Sequence, residues 1–282
     1  MTPQQNPEQP PAPPRVSVVV VSRNRVERLR ACLESLEKSA GREKLQLIVV
    51  DNGSTDGSAQ LDAEFPHVQF SRLPKNFGLT KAMNIGWRAS AAEYIFFLHE
   101  DTEVEPDAIE RLADVLDATP EASAVCPLLV DAEGRPAPQI GNLPPDGQWR
   151  PAQAAGEEPQ AVLYPRGAAL MVRAFVIKST RQIDEHYGQF GADADLAALI
   201  RRAGRKILLV PQARVRHHGG DRDSAMLRAD FRLARATYLG KHHGFAAGLQ
   251  ARLGAIVGPL GGFRFGELKY TISGQKIDGK QE

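Results

Sequence analysis

The chain has 282 residues, 42% hydrophobic and 24% charged, with a mean hydropathy of −0.32. That composition excludes wholesale disorder, and the length suits one large domain or one domain with a modest appendage. The net charge of +1 conceals an asymmetry: residues 1–200 carry 19 Lys/Arg against 28 Asp/Glu, a net of −9, and residues 201–282 carry 16 against 6, a net of +10.

Residues 1–14 hold six of the 20 prolines and read as an extended or disordered arm outside the fold. Val16 to Val21 is a continuous β-branched run, hence a buried strand. Val26, Leu29, Leu33 and Leu36 then recur at helical spacing. Leu45 to Val50 is a second buried strand, running into Asp51-Asn52-Gly53-Ser54-Thr55-Asp56-Gly57. Gly57 to Phe65 reads as helical with Asp56 as N-cap. Val68 to Phe70 is a short strand, Leu79 to Ser90 a helix, and Tyr94 to Leu98 a third buried strand. Pro106 to Ala118 is a helix with proline at its first position, followed by a strand from Ala122 to Val130. Seven prolines between Pro136 and Pro165 interrupt the pattern, and we read 136–165 as a surface flap beside the site. Ala168 to Val172 and Ile207 to Val210 are strands around a helix from Asp193 to Arg202. Alternating strands and helices give an α/β fold with a mainly parallel sheet covered on both faces.

Cys32 and Cys126 lie far apart in apolar runs, which excludes a disulfide scaffold or Cys-rich zinc site and suits a reducing compartment. No run of about 18 apolar residues is present, so no membrane-spanning helix is expected, and the N-terminus lacks a signal-peptide pattern. The expectation is therefore a cytoplasmic location. The basic final third suits phosphates, nucleic acid or anionic lipid, and equally suits pairing with the acidic body. Met226 to Tyr238 places Leu227, Phe231, Ala234 and Tyr238 on one face, a helix that either packs on the domain or lies on an anionic membrane surface. Phe245 to Phe263 is apolar but broken by Gln250, Arg252 and glycines; packing is the favoured reading, with peripheral contact at the inner face of the membrane left open. The stretch from Ser273 onward reads as loose.

Ligands of open α/β sheets bind beyond the carboxyl ends of the strands. Those ends carry Ser22, Asn24 and Arg25 after the first strand, Asp51 and Asn52 after the second, and His99, Glu100 and Asp101 after the third. Asp51 to Gly57 also reads simply as a turn. Neither G-x-G-x-x-G after a strand nor G-x-x-x-x-G-K-[ST] occurs, so dinucleotide and P-loop readings lose their support.

Val16-Ser17-Val18-Val19-Val20-Val21-Ser22-Arg23-Asn24-Arg25 and Val49-Val50-Asp51-Asn52-Gly53-Ser54-Thr55-Asp56-Gly57 resemble the opening of a family 2 glycosyltransferase. Asn76-Phe77-Gly78 with Asn84-Ile85-Gly86, Leu98-His99-Glu100-Asp101-Thr102, Gly191-Ala192-Asp193-Ala194-Asp195-Leu196 and Val210 to Gly220 resemble its later blocks in order. The resemblance covers about residues 15–245 and is closest to bacterial rhamnosyl- and galactofuranosyl-transferases of cell-surface polysaccharide synthesis. It implies a GT-A α/β/α sandwich over 15–222, with 223–282 as a basic helical extension. It further implies sugar transfer from a nucleoside diphosphate (UDP or dTDP) donor to a hydroxyl of a glycan or lipid-linked acceptor, with inversion.

The residues implied for the nucleotide are Ser22, Asn24, Arg25, Asp51, Asn52, Asn76, Gly78, Lys81, Asn84 and Glu100. Lys81 equally reads as a solvated helix residue. A divalent cation, Mn²⁺ or Mg²⁺, would be held by Asp101, His99 and His217; the plain alternative for His217 and His218 is a loop cap beside Gly219-Gly220. Asp193 takes the position of the general base. Asp195 at i+2 lies about 200° around the helix and supports structure instead. His99 and Ala192 depart from the family's acidic pattern, which motivates an alternative: a catalytically degenerate nucleotide-sugar-binding protein acting as sensor or scaffold. A nucleic-acid-binding role is disfavoured, with 6% aromatic residues and no recognition signature in the basic third.

Overall fold

Seven consecutive buried residues, Val16–Ser22, form β1 at the heart of a parallel ribbon. A strand covered on both faces needs no polar alternation. In the computed structural model, which describes residues 13–153, 156–219 and 224–273, β1 pairs in parallel with β2 (Leu45–Asp51), and β2 with β3 (Gln69–Arg72). On its other side β1 pairs in parallel with β4 (Tyr94–His99). The crossovers carry α1 (Val26–Glu37), α2 (Leu61–Glu64) and α3 (Leu79–Arg88). A 3₁₀ turn at Gly57–Gln60 leads into α2, and the Asp56 carboxylate accepts the Ser58 N–H there as the composition suggests.

After β4 come β5 (Thr102–Val104), α4 (Ala108–Ala118), β6 (Ala122–Val130) and three short strands, β7 (Pro138–Ile140), β8 (Arg150–Pro151) and β9 (Gln160–Ala161). Then follow β10 (Ala169–Arg173), α5 (Ala174–Ser179), α6 (Ala192–Arg202), β11 (Lys206–His217) and the terminal helices α7 (Ala225–His243), α8 (Phe245–Gly261) and α9 (Phe265–Ser273). The main sheet runs β3-β2-β1-β4-β10-β6-β11-β5, with β9 also paired to β11. Strand alternation sorts its two faces. Val18 and Val20 pack with Leu29 and Leu33 of α1 and Leu112 and Leu116 of α4, whereas Val19 and Val21 pack with Ala82 of α3 and Leu196 and Ile200 of α6. The result is an α/β/α sandwich.

Three features depart from the expectations. β10 runs antiparallel to both β4 and β6, which its fully apolar pattern cannot announce because a strand covered on both faces looks the same in either direction. β11 continues to His217, past a register shift between Val210 and Arg214, and pairs there with β5. The Pro-rich segment is only in part a surface flap. Ala137, Gln139, Ala152 and Tyr164 are buried, and the Gln139 side chain donates to the Pro127 carbonyl and accepts the Leu129 N–H. The arm before residue 13 and the tail beyond residue 273 lie outside the described residues.

Candidate active site

The site grows from the carboxyl ends of β1, β2 and β4. Register aligns Val21 with His99 and Ser22 with Asp51, so the polar residues that follow fall at one edge of the sheet. Directly after β4 the chain turns through Glu100 and Asp101 into β5, whose antiparallel pairing sets Thr102 opposite His217. A three-residue strand thereby delivers a histidine 116 positions away in sequence to the side of Asp101.

His99, Asp101 and His217 each offer a ligand atom within 4.8 Å of the others. His217 Nε2 stands 3.5 Å and His99 Nδ1 4.0 Å from Asp101 Oδ1. Asp101 Oδ1 and His217 Nε2 are buried without a hydrogen-bond partner. Leaving such atoms unmet is costly, and a shared cation would meet both at once. One carboxylate with two imidazoles suits a divalent ion that accepts nitrogen as well as oxygen, which favours Mn²⁺ over Mg²⁺. Burial pushes the Asp101 carboxyl up, but His217, with the charges of His99 and Arg25, outweighs it and holds the group down to about 2. Arg25 Nη1 donates to Asp101 Oδ2 at 3.1 Å, and Arg25 Nε lies 3.5 Å from Glu100 Oε1.

Opposite this cluster, Gly191 takes φ 90° ahead of α6 and turns the chain so that Asp193 enters in the first helical turn. Asp193 Oδ2 accepts the Gly167 N–H at 3.1 Å and Oδ1 the Ala194 N–H at 2.9 Å. The Tyr164 hydroxyl donates to the same carboxylate. Burial raises the Asp193 carboxyl above its ordinary value, and these hydrogen bonds oppose the rise without cancelling it. The His99 N–H donates to the Ala168 carbonyl at 2.9 Å, so the segment 167–168 holds both the histidine and the acid.

A cleft of about 860 Å³ runs from His99, the member of the cluster that lines it, to Asp193. Its walls include Ser22, Arg25, Asn52, Asn76, His99 and Glu100 from the strand ends, Asp193 from α6, Trp149 and Tyr164 from the Pro-rich segment, and Leu227, Phe231 and Arg235 from α7. Ser22 Oγ is buried there without a partner.

The remaining sequence candidates stand behind the cleft wall. Asp51 Oδ1 accepts the Ser54 N–H at 2.9 Å. Asn24, at φ 51°, accepts the Thr55 N–H. The Gly78 carbonyl accepts from Asn52, and its N–H donates to Asn76. These groups brace the loops that carry the lining residues. Two of the residues implied for the nucleotide stand away from the cleft. Asn84 is buried with its amide held by Ile183 and Glu185. Lys81 is exposed with Nζ 4.9 Å from the Phe77 ring, and it lines a different cavity; the helical register turns both away from the cleft. Asp195 is separated from Asp193 as its register requires: its oxygens accept from Lys241 at 2.9 Å and meet His242 Nε2 at 2.6 Å.

Sequence reasoning missed Tyr164, the Gly167 amide and Asp230. The Asp230 carboxylate accepts the Gln189 and Phe190 N–H groups at 2.9 and 3.2 Å, and Thr80 donates to the Gly188 carbonyl from α3, so the loop ahead of Asp193 is clamped from two helices. Nothing local marks an acid in a basic helix as a loop clamp; the only signal is that Asp230 interrupts the helix's basic composition.

Residues 17–175, more than half of the chain, match the family model described as Glycosyl transferase family 2. The chain belongs to glycosyl transferase family 2. This family 2 member is 27% identical over 231 residues to an N-acetylglucosaminyl-diphospho-decaprenol L-rhamnosyltransferase of Mycobacterium tuberculosis (strain CDC 1551 / Oshkosh), spanning 71% of this chain and 75% of that one. It is 28% identical to an N-acetylglucosaminyltransferase of Sinorhizobium fredii, over 80% of this chain and 58% of the relative. Among solved structures it resembles GalNAc-T7 crystallised with UDP, GalNAc and Mn²⁺, with a TM-score of 0.63 at 19% identity, over 73% of this chain and 43% of that one. It also resembles S. aureus TarS 1–349, at 0.60 and 17% over 84% and 69%. The fold is therefore the GT-A arrangement of glycosyltransferases. His99, one of the two departures that suggested degeneracy, stands inside the candidate metal cluster.

Proposed function

We propose that this glycosyltransferase moves a sugar from a nucleoside diphosphate donor to a hydroxyl of a lipid-linked glycan acceptor, with inversion at the anomeric carbon. The observation that carries this reading is an Asp-His cluster with orphaned buried atoms that reaches, through His99, a cleft also lined by a carboxylate whose affinity for protons is raised by burial. The acceptor class comes from the decaprenol-linked substrate named in the mycobacterial relative, and the reaction would run at the inner face of a membrane.

Asp101, His99 and His217 would hold a divalent cation, which when bound neutralises negative charge on the diphosphate. Ser22 Oγ and Asn76 present uncharged polar groups to the base and ribose, with Asn52, Asp51 and Asn24 fixing the loops around them. Arg25 neutralises Glu100 and one oxygen of Asp101, so the strand ends do not repel an anionic donor. Asp193 accepts the proton of the attacking hydroxyl. The Gly167 and Ala194 N–H groups fix its two oxygens, and Trp149 and Tyr164 line the same cleft. In-line attack on the face opposite the leaving diphosphate inverts the sugar's configuration.

The test is transfer from UDP- and dTDP-linked sugars to a polyprenyl-diphosphate-linked N-acetylglucosamine. Asp193→Asn is expected to lower turnover about 10²–10⁴-fold, the range of general-base catalysis, while nucleotide affinity stays within about twofold. Wild-type turnover in that variant would contradict the assignment.

A further inference from the structure

Among the described residues, the helices beyond β11 leave one face without a partner. Gly244, at φ 98°, links α7 to α8 with a single residue. The two helices fold back on each other where Gly240 meets Gly248 and Arg232 meets Gly258: a Cβ on Gly248 would stand 2.6 Å from Gly240 Cα, and one on Gly258 3.0 Å from Arg232 Nη1. Of α8, Ala255 and Pro259 alone are buried. On its other side Phe245, Leu249, Leu253, Val257 and Leu260 are 82, 47, 55, 63 and 48% exposed. Steps of four, four, four and three residues set them in one stripe about 22 Å long at 1.5 Å per residue. Phe263 and Phe265 extend it at one end, 79 and 64% exposed. Soluble surfaces seldom leave a continuous apolar patch of this kind uncovered.

The charge around the stripe selects its occupant. From Phe231 to Gly266 the chain has no acidic residue but carries Arg232, Arg235, Arg252 and Arg264, while Lys241 is paired with Asp184 and Asp195. The next acid, Glu267, is buried beneath Arg228, Arg232 and Arg264. A second copy of this face would bring cationic surfaces together, which like charge opposes. An anionic bilayer complements both the stripe and its charge.

We propose that the outer face of α8, extended by Phe263 and Phe265, lies in the interface of an anionic lipid bilayer. The helix rests on the surface and does not span, since no helix among the described residues is long and apolar enough to cross a membrane. α7, the other arm of the hairpin, lines the cleft with Leu227, Phe231 and Arg235, so docking holds the cleft beside the lipid surface. The proposal rests on the glycosyltransferase reading only in this last respect, in that a lipid-linked acceptor would be presented there.

Co-sedimentation of the full chain with vesicles of phosphatidylglycerol and phosphatidylcholine, against phosphatidylcholine alone, tests it. Binding to the anionic vesicles is expected, weakening as salt rises. The Leu253→Gln/Val257→Gln pair, at exposed positions remote from the cleft, is expected to weaken it about tenfold or more, and Arg252→Glu to weaken it further. UDP binding in Mn²⁺ serves as the control for folding and is expected to be unchanged in these variants. Absence of vesicle binding, or binding indifferent to the double substitution, would overturn the proposal. So would a dimer by light scattering that the same substitutions dissociate. A wild-type chain that binds vesicles but neither UDP nor dTDP would contradict the reading of the cleft and leave the docking surface standing.

Discussion

At the scale of single residues, the two halves of the site are set apart by opposite electrostatic treatment of two aspartates. Asp101 is surrounded by His99, His217 and Arg25 and stays ionised at any ordinary pH. Asp193 is held by two amides and a tyrosine hydroxyl in a cleft that desolvates it, so it binds a proton more readily than a free carboxylate. In the proposed role of general base it works only when ionised. The rate is therefore expected to fall on acidification through a pKa above the carboxylate reference of about 4. The sign for stability runs the other way: the shift favours the folded state below that pKa, and the contribution is lost as the pH rises through it. A pH–rate profile checks this, and in Asp193→Asn the acidic limb is expected to disappear from the residual activity. Asp101, His217 and Asp193 could be singled out in the sequence because each sits in a short block at a strand or helix end. Tyr164 and Asp230 were not, because each reaches the site through tertiary packing from a segment that carries no local mark of it.

Among the elements, the contact that fixes the cleft floor is α3 on β1 and β2. Gly86 lets the helix approach so closely that an added Cβ would stand 2.3 Å from Val19 Cγ1. Gly86→Ala is expected to destabilise the chain by about 1–3 kcal/mol, the range for overpacking a close-packed interior, measurable as a lower urea midpoint. An unchanged midpoint would mean that Val19 moves aside freely. The strands and helices of the parallel half could be read in advance because buried strands are apolar runs and the helices between them keep their period. Strand direction could not, since β10 is as apolar antiparallel as it would be parallel. β5 escaped notice because three residues carry no periodicity, yet that strand brings His217 to Asp101.

For the molecule as a whole, the opposed charges of the two segments are partly spent within the fold. Lys241 and His242 bind Asp195, Lys241 also binds Asp184, and Arg216 and His218 meet Glu103. Intramolecular pairing thus accounts for part of the basic final third, while Arg252, the one charged residue of α8, has no acidic neighbour in sequence. The same α7 lines the cleft, clamps the loop before Asp193 and carries the exposed hairpin, so the cleft, Asp193 and the exposed face form one unit. The claim at the centre of this arrangement is that the His99–Asp101–His217 cluster joins a nucleoside diphosphate to the protein through a divalent cation. Calorimetric titration with UDP and dTDP, in Mn²⁺ and then in EDTA, on the wild type and Asp101→Ala, tests it most directly. At least one nucleotide is expected to bind in Mn²⁺, at least about tenfold more weakly in EDTA, with Asp101→Ala abolishing the difference; equal affinity with and without the metal, or no binding of either nucleotide, would refute the role of the cluster.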